Sequence, residues 1–398
     1  MDPKEKALQL HREHRGKIEV KSKVPVTNKE ELSLAYTPGV AEPCKKIAEN
    51  KADIWEYTNR GNFVAVVTDG SAVLGLGNIG AEASMPVMEG KAVLFKEFAD
   101  VDAFPICIRS QEVDDIVEIV KQTEPTWGGI NLEDISAPRC IEIENRLKKE
   151  TDLAIFHDDQ HGTAIVAAAA LINALKTVGK SIEDIKIVVN GAGAGGIATS
   201  KIFLDMNCKD LILCDSKGII YEGRQEKMNW AKEEMAQRSN NENIKGDLAE
   251  AMKGADVFVG LSGPDLVTKD MVASMNDKAV VLAMANPVPE IYPDEAKEAG
   301  AVVTGTGRSD YPNQINNVLA FPGVLRGALD VQSKDINEEM KIAAAHAIAE
   351  MIDEKDLKPD YIIPDAIDKQ IAKNVAKAVA RAAVETGINR KDLPDIYK

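Results

Sequence analysis

Paired cysteines, an apolar leader, a membrane-length run and a basic cluster are all missing from this sequence. Its five cysteines (Cys44, Cys107, Cys140, Cys208 and Cys214) are dispersed and contain no C-x-x-C. An odd, scattered set fits reduced thiols and argues against a disulfide framework or a zinc knuckle. The opening MDPKEKALQLHREHRGK is charged throughout, so no secretory signal is visible. The longest uncharged apolar stretch, Thr163 to Leu175, is shorter than the roughly 20 residues of a membrane span. A formal net charge of −16 works against nucleic-acid binding, which needs a clustered basic surface, but leaves a small anionic substrate open. No internal repeat or low-complexity linker interrupts the chain. The expectation is a cytoplasmic protein with neither a nucleic-acid nor a membrane partner.

What is present is an ordinary globular composition: 44% hydrophobic and 28% charged residues over 398 positions, enough for two to three domains at about 100–200 residues each. Short β-branched runs such as FVAVVT (63–68), FPICI (104–108), DLAIF (152–156), IKIVV (185–189), LILC (211–214), ADVFVG (255–260), AVVLAM (279–284) and AVVTG (301–305) alternate with segments of helical period. This alternation predicts an α/β chain with mostly parallel sheets. The alanine-rich segment from Thr163 reads as a buried helix leading from one half to the other, and the C-terminal tail reads as helices. A boundary near residue 160 divides the chain into units 1–159 and 160–398.

Two segments carry G-x-G-x-x-G: VLGLGNIG (73–80) and NGAGAGG (190–196). A dinucleotide loop needs a strand before it, a helix after it, and an acid ending the next strand about 20 residues on. The second match meets each requirement. IKIVV precedes it, IATSKIFLDM follows with helical spacing, and LILC delivers Asp215. Gly191 permits the tight turn, Gly193 the close approach of phosphate, and Gly196 the close packing of the helix; Asp215 is placed to accept hydrogen bonds from a ribose. The first match fails, because Pro86 interrupts helical continuation and Asp100 and Asp102 precede their strand instead of ending it. It reads as a glycine-rich turn, and the chain as binding one nucleotide.

Two further strands end in acid pairs: WGGINLED in Glu133 and Asp134, and DLAIFHDD in Asp158 and Asp159. Ligands of open α/β sheets sit beyond the carboxyl ends of strands, and several carboxylates meeting there suit a hard dication such as Mg²⁺ or Mn²⁺. Capping of the following helix is the competing reading for Asp158. His157 and His161 stand at i and i+4, but the Glu that a zinc hydrolase places after the first His is absent.

The blocks YTPGV (36–40), VTDGSAVLGLGNIG (67–80), MEGKA (88–92), GGINLEDI (128–135), FHDDQHGTA (156–164), NGAGAGG (190–196), ANP (285–287) and NNVLAFPG (316–323) together resemble the malic enzymes, in order and over most of the chain. The length is similar to the compact bacterial or archaeal form. The resemblance implies a malic-type catalytic domain over 1–159 and a Rossmann-type NAD(P)-binding domain with C-terminal helices over 160–398. The activity it implies is conversion of malate to pyruvate and CO₂ with NAD, or NADP, and Mg²⁺ or Mn²⁺, in a homodimer or higher homo-oligomer. It assigns Glu133, Asp134 and Asp159 as metal ligands and Tyr36 as general acid. Lys91 becomes the general base, with Asp158 among the catalytic residues. Asn286 and Asn317 become substrate-contacting amides, Asn286 also bordering the cofactor. A free lysine is a poor base at neutral pH, so Lys91 is expected to be depressed toward roughly 7–8. One position departs from the larger members: the carboxylate-binding arginine after D-G-S is Ala72. The alternatives are a malolactic activity, recognised by lactate without net NADH, a metal-independent hydroxy-acid or amino-acid dehydrogenase, which EDTA should leave active, and an inactive NAD-sensing regulator. The regulator would be expected to have lost Tyr36, Lys91 or an acid.

Overall fold

The computed structural model describes residues 2–398. The first sheet is four parallel strands, β1 (Phe63–Thr68), β2 (Asp102–Cys107), β3 (Gly129–Leu132) and β4 (Ala154–His157), in the order β2-β1-β3-β4. The second sheet holds β5 (Lys186–Asn190), β6 (Asp210–Asp215), β7 (Gly218–Ile219), β8 (Val257–Gly260), β9 (Val280–Ala283) and β10 (Val303–Thr306), in the order β10-β9-β8-β5-β6-β7. All its pairings are parallel except the short hairpin β6–β7. Strand order reverses between β1 and β3 in one sheet and between β5 and β8 in the other. Chain segments leaving adjacent strands at such a point diverge and open a crevice. Both candidate sites lie at these reversals.

The sheets are joined by the helix Thr163–Val178, most of whose residues are buried. Counted with the turn before it, Asp158–Val178 is 21 residues long with mean hydropathy 1.3, so by length and composition it can cross a membrane. That corrects the expectation that the run is too short. Its apolar surface is nevertheless occupied, because 72% of the window is buried against the rest of the fold. Helices late in the sequence return to cover the first sheet. Phe321 meets Phe95 edge-on at 4.8 Å, and Arg326 Nη1 donates to Asn62. One apolar core therefore runs from β1 through β4 into β5.

Pro86 does not end a helix. It lies within Gly80–Ala99, because burial of Ala81, Ser84, Met88, Ala92 and Phe95 outweighs the local cost of the missing N–H. The glycines ahead of it do make a tight turn: Gly75 and Gly77 have φ +74, and Val73 and Gly77 exchange backbone hydrogen bonds of 3.0 and 2.8 Å.

Candidate active site

At the first reversal, Glu133 and Asp134 leave the end of β3. The Glu133 N–H donates to the Val67 carbonyl of β1 at 2.9 Å, which continues the ladder by one residue. The chain then turns through Asp134 at φ +53, a left-handed conformation that Asp tolerates better than most residues. Asp134 accepts from Ala72 N–H at 2.9 Å, while its own N–H donates to Asp159 Oδ2 at 2.8 Å. Asp158 and Asp159 leave β4 in a single π-type turn, Asp158–Gly162, which runs straight into the core helix. No side chain caps that helix, so the capping reading of Asp158 is not borne out. Gly162 is what lets the turn close, because a Cβ there would lie 1.9 Å from Asp158 Oδ1.

Carboxylate oxygens of Glu133, Asp134 and Asp159 come within 4.8 Å of one another. Lys91, buried on the helix Gly80–Ala99, reaches Asp158 at 2.6 Å and Glu133 at 3.1 Å, with its Nζ 4.2 Å from the centre of the Phe321 ring. Asn317 donates to the same Asp158 Oδ2, and Asn131 to Glu133 Oε2 at 2.8 Å. Four acids thus face one cation. Burial pushes Glu133 up to about 7 and Asp158 to about 7, each partly offset by Lys91. Burial, then repulsion from Asp159 and Glu133, takes Asp134 to about 8. Burial and Asp158 take Asp159 to about 6. A dication among these acids would remove the repulsion and supply a partner for Asp134 Oδ2, which is buried without a hydrogen bond. The donor set therefore fits the divalent metal.

Lys91 corrects an expectation. Burial disfavours its charge, yet the Asp158 and Glu133 carboxylates outweigh burial and hold the ammonium well above the ordinary lysine value. The histidines do not form a zinc pair. His157 is fully buried, and burial takes it down to about 4, whereas His161 is held by Glu144 at 2.7 Å. Glu144 also accepts from Gln160 at 2.9 Å and so clamps the turn that carries Asp158 and Asp159.

At the second reversal, β5 runs into Gly191 (φ +122), where a Cβ would lie 2.2 Å from the Leu261 carbonyl that leaves β8. A Cβ on Gly196 would lie 1.6 Å from the Gly191 carbonyl, so the helix Ala194–Asp205 starts directly against the loop. A Cβ on Gly193 meets nothing within 4 Å, so open space lies outside the loop at the helix N-terminus, a setting that suits a phosphate group. Glu290, fully buried, receives Ser262 N–H at 2.9 Å and Ala285 N–H at 3.1 Å, tying together the loops after β8 and β9. Asn286 follows in the second of these loops, its amide seated where a Cβ on Gly307 would be. Gly195 packs toward the first site, its Cβ position 3.0 Å from the Asp159 carbonyl.

Two sequence-predicted residues stand apart. Asp215 ends β6 as expected but is not free for a ribose. Arg224 grips both its oxygens at 2.7 and 2.8 Å, and Lys232 adds a bond of 2.5 Å. Tyr36 is 67% exposed and makes no side-chain hydrogen bond to Lys91, Asp158 or any other site residue. Sequence reasoning missed Asn131, Phe321, Glu144, Glu290 and Arg139, which pairs with buried Asp69 at 2.9 Å beside Ala72. Asn131 had a legible signal, since two residues before Glu133 on a strand is the same face.

The family description "Malic enzyme, N-terminal domain" matches residues 15–112 and 108–148, and "Malic enzyme, NAD binding domain" matches 160–384. A bifunctional malic/malolactic enzyme of Bacillus subtilis is 60% identical over 390 residues, which is 98% of this chain and 95% of that protein. An NAD-dependent malic enzyme of Geobacillus stearothermophilus is 54% identical over 378 residues, 95% of this chain and 78% of that protein. The crystal structure of the NAD-dependent malic enzyme of Thermotoga maritima matches with a TM-score of 0.91 at 49% identity, over 94% of this chain and 98% of that one. The chain belongs to the malic enzyme family, the NAD- or NADP-dependent oxidoreductases that decarboxylate malate.

Proposed function

We propose that this chain oxidises malate and releases pyruvate and CO₂, with Glu133, Asp134 and Asp159 holding Mg²⁺ or Mn²⁺ and the loop Gly191–Gly196 holding the cofactor. The observation that carries the reading is the group of three carboxylates, Glu133 and Asp134 buried and Asp159 partly exposed, with Lys91 one ion pair away. When bound, the dication would supply a Lewis acid for the oxygens of the hydroxy acid, and the nicotinamide would supply the hydride acceptor for C2.

The chain's own residues manage the protons. Lys91 takes the hydroxyl proton and shares it with Asp158, 2.6 Å away, which Asn317 orients. That pairing lets a lysine held as an ammonium still act as base, since its proton has a neighbouring carboxylate to move to. Loss of CO₂ leaves its electron pair in enolpyruvate, and Tyr36 protonates C3 to give pyruvate. Asn286 and Asn317 contact the substrate. The division near residue 160 places the metal and proton-carrying groups in 1–159 and the cofactor loop in 160–398, which also returns Asn317 and Phe321 to the first site. The protein is cytoplasmic and works as a homodimer or higher homo-oligomer.

Malate with Mn²⁺ should reduce NAD, and EDTA should stop it; activity undiminished in EDTA would refute the metal assignment. NAD is the proposed cofactor with modest discrimination, because Asp215 is neutralised by Arg224 and Lys232 and cannot strongly repel a 2′-phosphate. A catalytic efficiency with NADP more than tenfold above that with NAD would overturn this preference. The malolactic reading keeps a place because a 60% identical relative is named for both activities; lactate formed without net NADH would favour it.

A further inference from the structure

Glu144, which clamps the turn that carries Asp158 and Asp159, also lines a cavity of about 330 Å³. That volume falls in the range of small-molecule pockets. Three helices build its wall: Arg139–Glu150 from the first unit, and Ala194–Asp205 and Glu338–Ala349 from the second. None of the metal ligands, the proton-carrying groups or the loop glycines assigned above lines it. Its deepest fixed charge is positive. The side chains of Lys341 and Lys148 are 3% and 20% exposed, and the one acid buried with them is Glu144. His161 bridges the two signs: its Nε2 faces Glu144 at 2.7 Å and its Nδ1 faces the Lys341 ammonium at 3.3 Å, so a single proton on Nε2 satisfies both contacts. Burial and repulsion from Lys148 hold Lys341 below its ordinary value, so its ammonium is short of a counterion.

The remaining acids that offset these cations are replaceable. Glu338 bonds Lys341 at 2.5 Å, and Glu234 bonds Lys201 at 2.8 Å and reaches Arg238 at 3.5 Å. Asp335 pairs with Lys148, and Asp205 with Arg238. All four acid side chains are between 30% and 54% exposed. An exposed carboxylate loses little by turning out to water, so it can give way to a carboxylate brought by a ligand. Two of them mark where such groups fit: Glu338 on buried Lys341, and Glu234 across the more exposed Lys201 and Arg238. Ile141, Ile197 and Ile202 add an apolar wall, which suits a short carbon chain better than a compact oxyanion.

We propose that this cavity binds a small dicarboxylate, one end displacing Glu338 from Lys341 and the other displacing Glu234 from Lys201 and Arg238, and that its occupancy is coupled to cofactor binding. The ligand touches both units at once. Glu144 holds Gln160 and His161 of the Asp158–Gly162 turn, while Ile197, Ala198 and Lys201 stand on the helix that starts at the glycine loop. Coupling is reciprocal, so a ligand that favours one arrangement of these helices alters NADH affinity by the same factor that NADH alters its own.

Titration calorimetry with succinate, in EDTA and without cofactor, reads this site apart from the metal. Succinate should bind the parent, and Asp159→Asn comparably. Lys341→Gln and Lys201→Gln should each weaken it by about tenfold or more. Glu338→Gln should tighten it, because the ligand no longer competes with a resident carboxylate. No saturable binding to the parent overturns the proposal. So does binding that Asp159→Asn removes and both lysine variants keep, since succinate then occupies the acid cluster instead. Lys201 stands toward the rim, so its variant carries the test should Lys341→Gln fail to fold. NADH titrations in EDTA address the coupling. Succinate at a concentration that saturates the parent should shift the parent's NADH Kd by about fivefold or more and leave that of Lys201→Gln unmoved. An unmoved Kd in the parent overturns the coupling.

Discussion

Gly193 and Gly196 stand three residues apart in one loop and should fail in opposite ways. A Cβ on Gly196 would lie 1.6 Å from the Gly191 carbonyl, a backbone atom with no freedom to rotate aside. The loop or the helix Ala194–Asp205 must shift. Overpacking of this kind costs about 1–3 kcal/mol, which for a unit of this size lowers Tm by roughly 2–12 °C. Gly193 has φ −87, open to any residue, and free space where its Cβ would go. Gly193→Ala should leave Tm unchanged, yet its methyl group stands where phosphate must approach the backbone. Loss of one charge-assisted hydrogen bond, about 1.5–3 kcal/mol, corresponds to a rise in NADH Kd of about 10–100-fold. Differential scanning fluorimetry and titration of NADH fluorescence measure the two effects separately. Parental NADH affinity in Gly193→Ala would refute the assignment of this loop to the pyrophosphate. An unchanged Tm in Gly196→Ala would refute the close packing of helix on loop.

The acid cluster and its lysine give three more expectations. Asp159→Asn should weaken Mn²⁺ binding and abolish both malate oxidation and oxaloacetate decarboxylation while NADH still binds; oxaloacetate decarboxylation at the parental rate would remove Asp159 from the ligand set. Lys91→Ala should lower malate oxidation by about 10²–10⁴-fold, with a smaller effect on oxaloacetate decarboxylation, and should also lower Tm, because breaking a buried ion pair costs about 3–5 kcal/mol. In EDTA, the raised carboxyls of Glu133, Asp134, Asp158 and Asp159 mean that the folded state holds more protons than the unfolded state from about pH 4 to about pH 8. Stability should therefore fall as pH rises through that window. Added Mn²⁺ should raise Tm more near pH 8 than near pH 5, and an equal rise at both would contradict the shared-charge account.

Strand positions could be read from sequence because most strands announce themselves as β-branched runs, and the runs 63–68 and 211–214 lie within the observed β1 and β6; the order of the strands in each sheet could not. The acids were legible for the same reason, since strand ends are where these sheets open. What escaped were properties set by partners distant in sequence. Asp215 sits at the right place on β6, but its oxygens are claimed by Arg224 and Lys232, which no local pattern connects to it. The direction of the Lys91 shift depends on carboxylates 42 and 67 positions away that only the fold brings together. The helix through Pro86 survives because of what it buries, which local propensity does not record.

The run Ala167–Ala170 has no exposed surface on any side of its helix. A helix sheathed in methyl groups is the thinnest rod a core can contain, and here it acts as a gauge block between the neighbouring helices and the two sheets. Its N-terminal end carries the Asp158–Gly162 turn, and Gly195 of the phosphate loop bears on the Asp159 carbonyl there. The separation of the acid cluster from the glycine loop is therefore set partly by the girth of this rod. Thickening it by a single methylene, far from any reacting atom, would act on the chemistry as a change of dimension.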